Sequence, residues 1–135
     1  ESGAAQLVRA MDLVEAGVAP PPQPADGVTL AAKIPVDDAR LDFARGAAEL
    51  RNQVMGCSPD PGAWCELDGH RFKVFRARVG GPEGLAPGEL ATTKREVFVG
   101  TGDGALELRE VQAPGKRRMP AIDWARGGVS GKRLA

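Results

Sequence analysis

The sequence contains few of the side chains that catalytic sites use most. It has no tyrosine, one histidine, two cysteines and 4% aromatic residues. The histidine, His70, follows Gly69 at a predicted turn, and no motif places a serine, cysteine or aspartate beside it, which argues against a nucleophile and base pair. Metal-ligand spacings are also missing. We therefore predict that this chain carries no active site and binds no metal or cofactor itself.

Cysteine is scarce. Cys57 and Cys65 form neither a CxxC pair nor part of a Cys/His cluster. Such sparse usage is more typical of free thiols, buried or half-buried, than of a disulfide or a metal site. We therefore predict two free thiols.

Long hydrophobic runs are missing as well. No run approaches the roughly 20 residues that a membrane span needs, and no signal peptide is visible. We therefore expect a cytoplasmic protein without a membrane partner. The 18 glycines and 11 prolines favour short strands and turns over long helices.

The net charge of zero conceals an asymmetry between the two halves of the chain. Residues 1–70 carry 11 acidic and 5 basic side chains, whereas residues 71–135 carry 7 acidic and 13 basic ones. A basic half is a mild indication of a polyanionic partner. It does not establish one, since acidic helices beside basic strands are common in ordinary domains.

The first 36 residues predict a helix and a linker. In residues 1–17, Leu7, Val8, Met11 and Val14 recur at steps of three and four, which is typical of an amphipathic helix. This apolar face needs a partner, either a missing upstream domain or the domain that follows. Residues 18–36 include a proline-rich stretch that predicts a stiff, extended linker, with a proline-rich ligand motif as the weaker alternative.

The remaining sequence predicts one helix, several strands and a tail. We expect a helix at Asp37–Met55, because acidic residues gather at its start and apolar ones recur on one face. A helical turn is expected at Ala121–Arg126. The domain then comprises residues 37–127, and residues 128–135 are expected to be a frayed basic tail.

Short strands separated by turns predict the fold class. Asp68-Gly69 and the glycine-rich stretch Gly100–Gly104 are typical hairpin turns. A change in the apolar phase at Val74/Phe75 predicts a β-bulge. We therefore predict a mainly β fold, a small open Greek-key β-barrel similar to an OB-fold, preceded by helices. The predicted strands are Ala63–Leu67, His70–Val79, Glu89–Thr92, Val97–Val99 and Leu106–Leu108.

Cations cluster in two places. The second strand carries four that we expect on its outer face, either as a polyanion-binding surface or, equally, as an ordinary solvated face. A second cluster follows the last predicted strand. The first cluster is Arg71, Lys73, Arg76 and Arg78, and the second is Lys116, Arg117 and Arg118.

Several motifs resemble the C-terminal domain of bacterial methionyl-tRNA formyltransferase. They are Lys33 with Leu41–Phe43, Pro59–Ala63, Gly102–Leu108 and Val111–Met119. The resemblance extends over nearly the whole chain. In it, residues 1–17 correspond to the last helix of the family's catalytic domain and residues 18–34 to its interdomain linker.

The resemblance implies a function for the parent protein. Such enzymes transfer a formyl group from 10-formyltetrahydrofolate to the amino group of methionine on initiator tRNA in translation initiation. Catalysis belongs to the N-terminal domain, a partner in the same chain, so this fragment alone should be inactive. The barrel helps to hold the tRNA, and the enzyme is expected to be a monomer. Lys33 and Lys116 match basic positions of the family, and the other six cations are added from charge and strand phase.

Two alternatives stay open. The same barrel could belong to another 10-formyltetrahydrofolate-dependent formyltransferase or hydrolase, or the chain could be a non-catalytic, OB-like nucleic-acid-binding module. With two tryptophans and four phenylalanines, a base-stacking platform is not expected. We therefore predict recognition of the backbone and shape of a folded RNA.

Overall fold

A computed structural model describes residues 2–129 and 131–135, except for the side chain of residue 2. The chain folds into two units, Glu1–Ala32 and Lys33–Ala135. The first unit contains helix α1, Ser2–Glu15, which confirms the predicted helix. The apolar residues of its predicted face are exposed, with Leu7 at 64% and Val14 at 65%. From residue 18 to residue 32 the chain has neither helix nor strand.

The second unit is built on one antiparallel sheet. The strand order is β1-β2-β5-β4-β3. The short strand β6 lies outside this order and pairs with β5. All five predicted strands are present, and the mainly β fold class is confirmed. The strands are β1 Ala63–Leu67, β2 His70–Val79, β3 Leu90–Thr92, β4 Val97–Thr101, β5 Gly104–Gln112 and β6 Met119–Pro120.

Strand β2 bends where its apolar phase changes. Its register with β5 shifts between Val74 and Arg76 and again between Arg76 and Ala77. Phe72 and Val74 point into the main core, whereas Phe75 is buried outside it. The bulge predicted at Val74/Phe75 is therefore confirmed, and it turns the second half of β2 relative to the first.

The predicted helix at Asp37–Met55 is wrong at its beginning. Residues Asp37–Ala39 form a single 3-10 turn, and helix α2 covers only Ala47–Cys57. Between them Arg40 forms an isolated parallel bridge with Trp64, the backbone N–H of Leu41 donates to the Trp64 carbonyl at 2.7 Å, and residues 43–45 form a turn. Leu41 and Phe43 are both buried while the residue between them is exposed, which is the period of a strand and not of a helix.

Helix α2 begins where the turn between β4 and β5 reaches it. The backbone N–H of Ala47 donates to Asp103 Oδ1 at 2.7 Å, and that of Gly102 donates to the Arg45 carbonyl at 2.9 Å. A Cβ at Gly102 would overlap the Ala44 carbonyl oxygen. The Gly-Asp-Gly turn therefore anchors and caps a helix instead of holding a phosphate.

The C-terminal residues are part of the fold, so the predicted frayed tail is wrong. The backbone N–H of Ala135 donates to the Glu66 carbonyl at 2.9 Å, and that of Leu134 donates to the Gly88 carbonyl at 2.8 Å. The backbone N–H of Leu90 donates to the Lys132 carbonyl at 3.0 Å. This segment thus lies between β1 and β3, the two edge strands, and buries Leu134. Helix α3, Ala121–Ala125, confirms the predicted helical turn.

The two cysteines are free and buried, as predicted. Burial raises the pKa of the Cys65 thiol to about 12 and also raises the pKa of Cys57. His70 is exposed at the turn, as expected, and its Nδ1 lies 2.9 Å from the Asp68 carbonyl oxygen. Among residues 2–129 and 131–135, no helix is both long and apolar enough to cross a membrane. The same residues include no group of three or more His, Cys, Asp or Glu side chains placed to hold a metal.

Candidate nucleic-acid interface

A cleft with mainly positive charge lies where β2, β5 and β6 meet. Its volume is about 930 Å³. The bulge in β2 directs Arg76 and Arg78 towards it, and the pairing of β6 with β5 brings the preceding residue, Arg118, to the same place. We call it the arginine cleft. Its charged lining residues are Arg76, Arg78, Arg109, Arg118 and Glu110, and its other lining residues are Met55, Ser58, Pro59, Phe75, Ala77 and Pro120.

A buried carboxylate holds two of these arginines. The Glu107 side chain is only 8% exposed, and its two oxygens lie 2.9 Å from Arg78 Nε and 3.0 Å from Arg109 Nε. Arg78 lies directly opposite Glu107 in the β2–β5 register. A carboxylate buried to this degree needs such partners, because its desolvation is costly. The contact through Nε leaves the two terminal nitrogens of Arg78 available to bind another acceptor.

A second acid fixes Arg118 in two ways. Arg118 Nε lies 2.6 Å from Glu110 Oε1, and Arg118 Nη2 donates to Glu110 Oε2 at 2.8 Å. The guanidinium carbon also lies 4.2 Å from the centre of the Phe75 ring. The hydrogen bond from Arg118 lowers the pKa of Glu110, and the charges of Arg118 and Arg76 act in the same direction against partial burial. Glu110 therefore stays ionised and holds Arg118 in one orientation.

Three of the eight predicted site residues, Arg76, Arg78 and Arg118, converge in the cleft. Lys116 and Arg117 are exposed on the turn that leads directly to Arg118. Gln112 Nε2 donates to the Lys116 carbonyl at 3.0 Å, which ties this turn to the end of β5. These five cations therefore belong to one part of the surface.

The other three predicted residues lie outside the cleft. Arg71 stacks on Trp64, with 4.3 Å from its guanidinium carbon to the ring centre. Lys73 is half-buried, and its Nζ donates to the Pro61 carbonyl at 2.9 Å. Lys33 is exposed at the start of the second unit. The expectation that all four cations of β2 lie on a freely exposed outer face is therefore wrong for Lys73, because the chain at Pro61 half-buries this side chain and accepts its hydrogen bond.

Arg109 lines the cleft but was not among the predicted site residues. The alternation of Glu107 and Arg109 along β5 was a visible signal, but it did not show which residues of β2 lie opposite them. The shift at Arg76 sets that register. Arg40 was not predicted as a site residue either. Its guanidinium carbon lies 5.4 Å from the centre of the Trp64 ring, where Arg40 and Arg71 form a second, smaller basic patch.

Comparison with known families identifies the domain. The family model described as "Formyl transferase, C-terminal domain" matches residues 33–128. The chain belongs to this family. The matched residues include β1 to β6, α2 and α3, and thus the whole arginine cleft. The resemblance drawn from the Gly102–Leu108 and Val111–Met119 motifs is therefore confirmed.

Curated relatives of this formyl transferase domain share one name. Methionyl-tRNA formyltransferase of Cutibacterium acnes is 48% identical over 129 residues, which cover 90% of this chain and 41% of that protein. The protein of the same name from Streptomyces coelicolor is 50% identical, covering 93% of this chain and 41% of the relative. The chain thus spans about two fifths of the length of these relatives.

Solved structures of similar fold include those of a more distant protein, HypX. A multiply substituted variant of HypX from Aquifex aeolicus has a TM-score of 0.75 and 20% identity, covering 96% of this chain and 24% of HypX. HypX in complex with tetrahydrofolic acid has a TM-score of 0.74 and 20% identity, covering 93% of this chain and 23% of HypX. These matches support the fold of the domain.

Proposed function

We propose that this chain is the tRNA-binding C-terminal part of a methionyl-tRNA formyltransferase. The observation that carries the proposal is the arginine cleft, which lies within the region matched to the family model. The name shared by relatives at 48% and 50% identity gives the substrate class. This substrate class is tRNA, here initiator tRNA, whose phosphates make it a polyanion. A cleft lined by four arginines and one glutamate carries net positive charge and therefore attracts it.

In this proposal the chemistry takes place in an upstream catalytic domain of the same protein. That domain would transfer a formyl group from 10-formyltetrahydrofolate to the amino group of methionine on initiator tRNA. The arginine cleft is proposed for the RNA, and the folate would be held by the upstream domain. The intact protein acts as a cytoplasmic monomer, and the apolar face of α1 packs against the catalytic domain.

The role of the cations is to neutralise phosphates. Lysine and arginine contacts to a nucleic-acid backbone supply affinity and position the partner without reading sequence. Arg76, Lys116 and Arg117 are the best candidates for direct contacts, because all three are exposed and no ion-pair partner is found for them among residues 2–129 and 131–135. Lys33 is proposed as a further contact near the linker, while Arg71 and Lys73 are weaker candidates because Trp64 and Pro61 already engage them.

The proposal is tested by filter binding of initiator tRNA to the intact protein. A Lys116→Ala, Arg117→Ala double variant should bind about tenfold more weakly at moderate salt, because exposed charge pairs contribute up to roughly 1 kcal/mol each and about 1.4 kcal/mol corresponds to a factor of ten in affinity. The matched control is Lys94→Ala with Arg95→Ala, two exposed cations between β3 and β4 and outside the cleft lining. Equal affinities of the two double variants would contradict the proposal.

A further inference from the structure

Arg118 differs from the other arginines of the cleft in how its nitrogens are used. Two of its three nitrogens meet the two oxygens of Glu110, at 2.6 Å and 2.8 Å. Its charge is therefore already balanced, and the edge of the guanidinium that would grip a phosphate is occupied. Arg118 is the least suited of the four to bind a phosphate.

The same contacts turn Arg118 into a fixed flat surface. Phe75 lies against the guanidinium at 4.2 Å from the ring centre, so one face is covered. The side chain is nevertheless 41% exposed and lines the cleft. A ligand in the cleft can therefore reach the part of the guanidinium that Phe75 and Glu110 leave uncovered. Glu110 binds one edge of the guanidinium, and Phe75 packs against the group. Because the side chain is already held in place, a flat ligand can stack on it at little entropic cost.

We propose that the guanidinium plane of Arg118 is a stacking platform for one unpaired base of the bound RNA. Unstacked bases in RNA are commonly recognised by stacking on aromatic rings or on arginine planes. This inference rests on the proposed function and adds the type of RNA element that the cleft receives. It also revises the expectation that a lack of aromatic residues excludes base stacking, since Arg118 supported by Phe75 replaces an exposed aromatic side chain.

The surroundings of the platform suit a nucleotide. The cleft volume of about 930 Å³ falls within the roughly 300–1,000 Å³ of sites that hold small molecules. Arg76 and Arg78 stand two residues apart on β2, and both line the cleft. Arg76 lies opposite Glu110 and thus beside the platform. The geometry accordingly provides a plane for the base and neighbouring cations for the phosphates that flank it.

The test compares two RNA hairpins bound to the intact protein. One hairpin ends in four unpaired nucleotides, and the other has the same stem with a blunt end. Arg118→Lys keeps the charge but removes the plane, so it should weaken binding of the first hairpin on the order of tenfold. The affinity for the blunt hairpin and the dependence on salt should stay within twofold of the wild type, because the charge is retained.

An equal loss on both hairpins, or no loss on either, would overturn the platform. Because Arg118→Lys could also disturb Glu110, the wild-type protein provides a second measurement. The NMR signal of the Arg118 Nε–H should shift on addition of adenosine 5′-monophosphate and not on addition of ribose 5-phosphate, since only the former carries an aromatic ring. Identical shifts with both would contradict stacking. If wild-type protein fails to bind initiator tRNA at all, the proposed function fails instead, whatever the hairpins show.

Discussion

At the scale of single residues, the most demanding position is Gly102. Its backbone passes so close to the Ala44 carbonyl that a Cβ would overlap the oxygen. Gly102→Ala should lower the free energy of unfolding by about 1–3 kcal/mol, as overpacking of a tight contact does. Gly56→Ala is the control, because a Cβ there meets nothing within 4 Å and alanine favours a helix. Urea denaturation measures both, and a similar loss in the two variants would contradict the close contact.

The pair Glu110–Arg118 should give stability a measurable pH dependence. Because the pKa of Glu110 is lowered in the folded protein, its contribution is fully present above its ordinary value of 4.5 and is lost as the pH falls through the folded pKa. Glu110→Gln should therefore be less stable than the wild type at pH 7, and the difference should shrink towards pH 3. Thermal unfolding across this range measures it, and a difference independent of pH would refute the ionised pair.

Residue exposure was predictable from the sequence only where local periodicity holds. The exposure of Arg76, Lys116 and Arg117 follows from strand phase or from a glycine-containing turn. Lys73 does not follow the rule, because its Nζ bonds the Pro61 carbonyl from the neighbouring part of the chain. The stacking of Arg118 on Phe75 depends on a contact between side chains 43 positions apart, and no local pattern indicates it.

At the scale of elements, helix α2 and the β4–β5 hairpin stabilise each other. Asp103 accepts a hydrogen bond from the Ala47 backbone N–H at 2.7 Å and so caps the helix from 56 positions away. Asp103→Ala should cost about 1 kcal/mol of stability, the usual effect of losing an N-cap. Asp103→Asn should stay near the wild type, since asparagine caps equally well. Equal losses in the two variants, measured by denaturation, would show that capping is not the reason for the loss.

The C-terminal segment should be needed for stability. Leu134 is 2% exposed and its neighbours bond to β1 and β3. Leu134→Ala should lower the free energy of unfolding by about 2–5 kcal/mol, as for other buried leucines. Lys132→Ala in the same segment removes only an exposed ion pair with Asp68 and should cost about 1 kcal/mol or less. A small effect of both would mean that the segment does not hold the edge strands together.

Hairpins and helix ends differ in how much local sequence determines them. Strands β1 and β2 were predicted with their observed bounds because Asp68-Gly69 is a strong turn signal between two apolar runs. The start of α2 was not, since its cap lies in another hairpin and the chain before it pairs with Trp64 at Arg40 and Leu41. The C-terminal segment was misjudged because its short basic sequence hides a single buried leucine.

At the scale of the whole molecule, the position of charge matters more than its total. Net charge is zero, yet residues 71–135 contribute 13 basic side chains against 7 acidic ones. Folding brings six cations to one part of the surface, and Glu107 and Glu110 orient three of the cleft's arginines. The basic half was visible in the sequence. The cleft was not, because it depends on the bulge that sets the register between β2 and β5.

The most direct test of the central claim is the salt dependence of initiator tRNA binding to the intact protein. The affinity should fall linearly with salt on logarithmic axes, and each lost phosphate contact should reduce the slope by about one unit. The triple variant Arg76→Ala, Lys116→Ala, Arg117→Ala should therefore lose about three units of slope, whereas Lys94→Ala with Arg95→Ala should leave it unchanged. A triple variant with the wild-type slope would contradict phosphate binding at the arginine cleft.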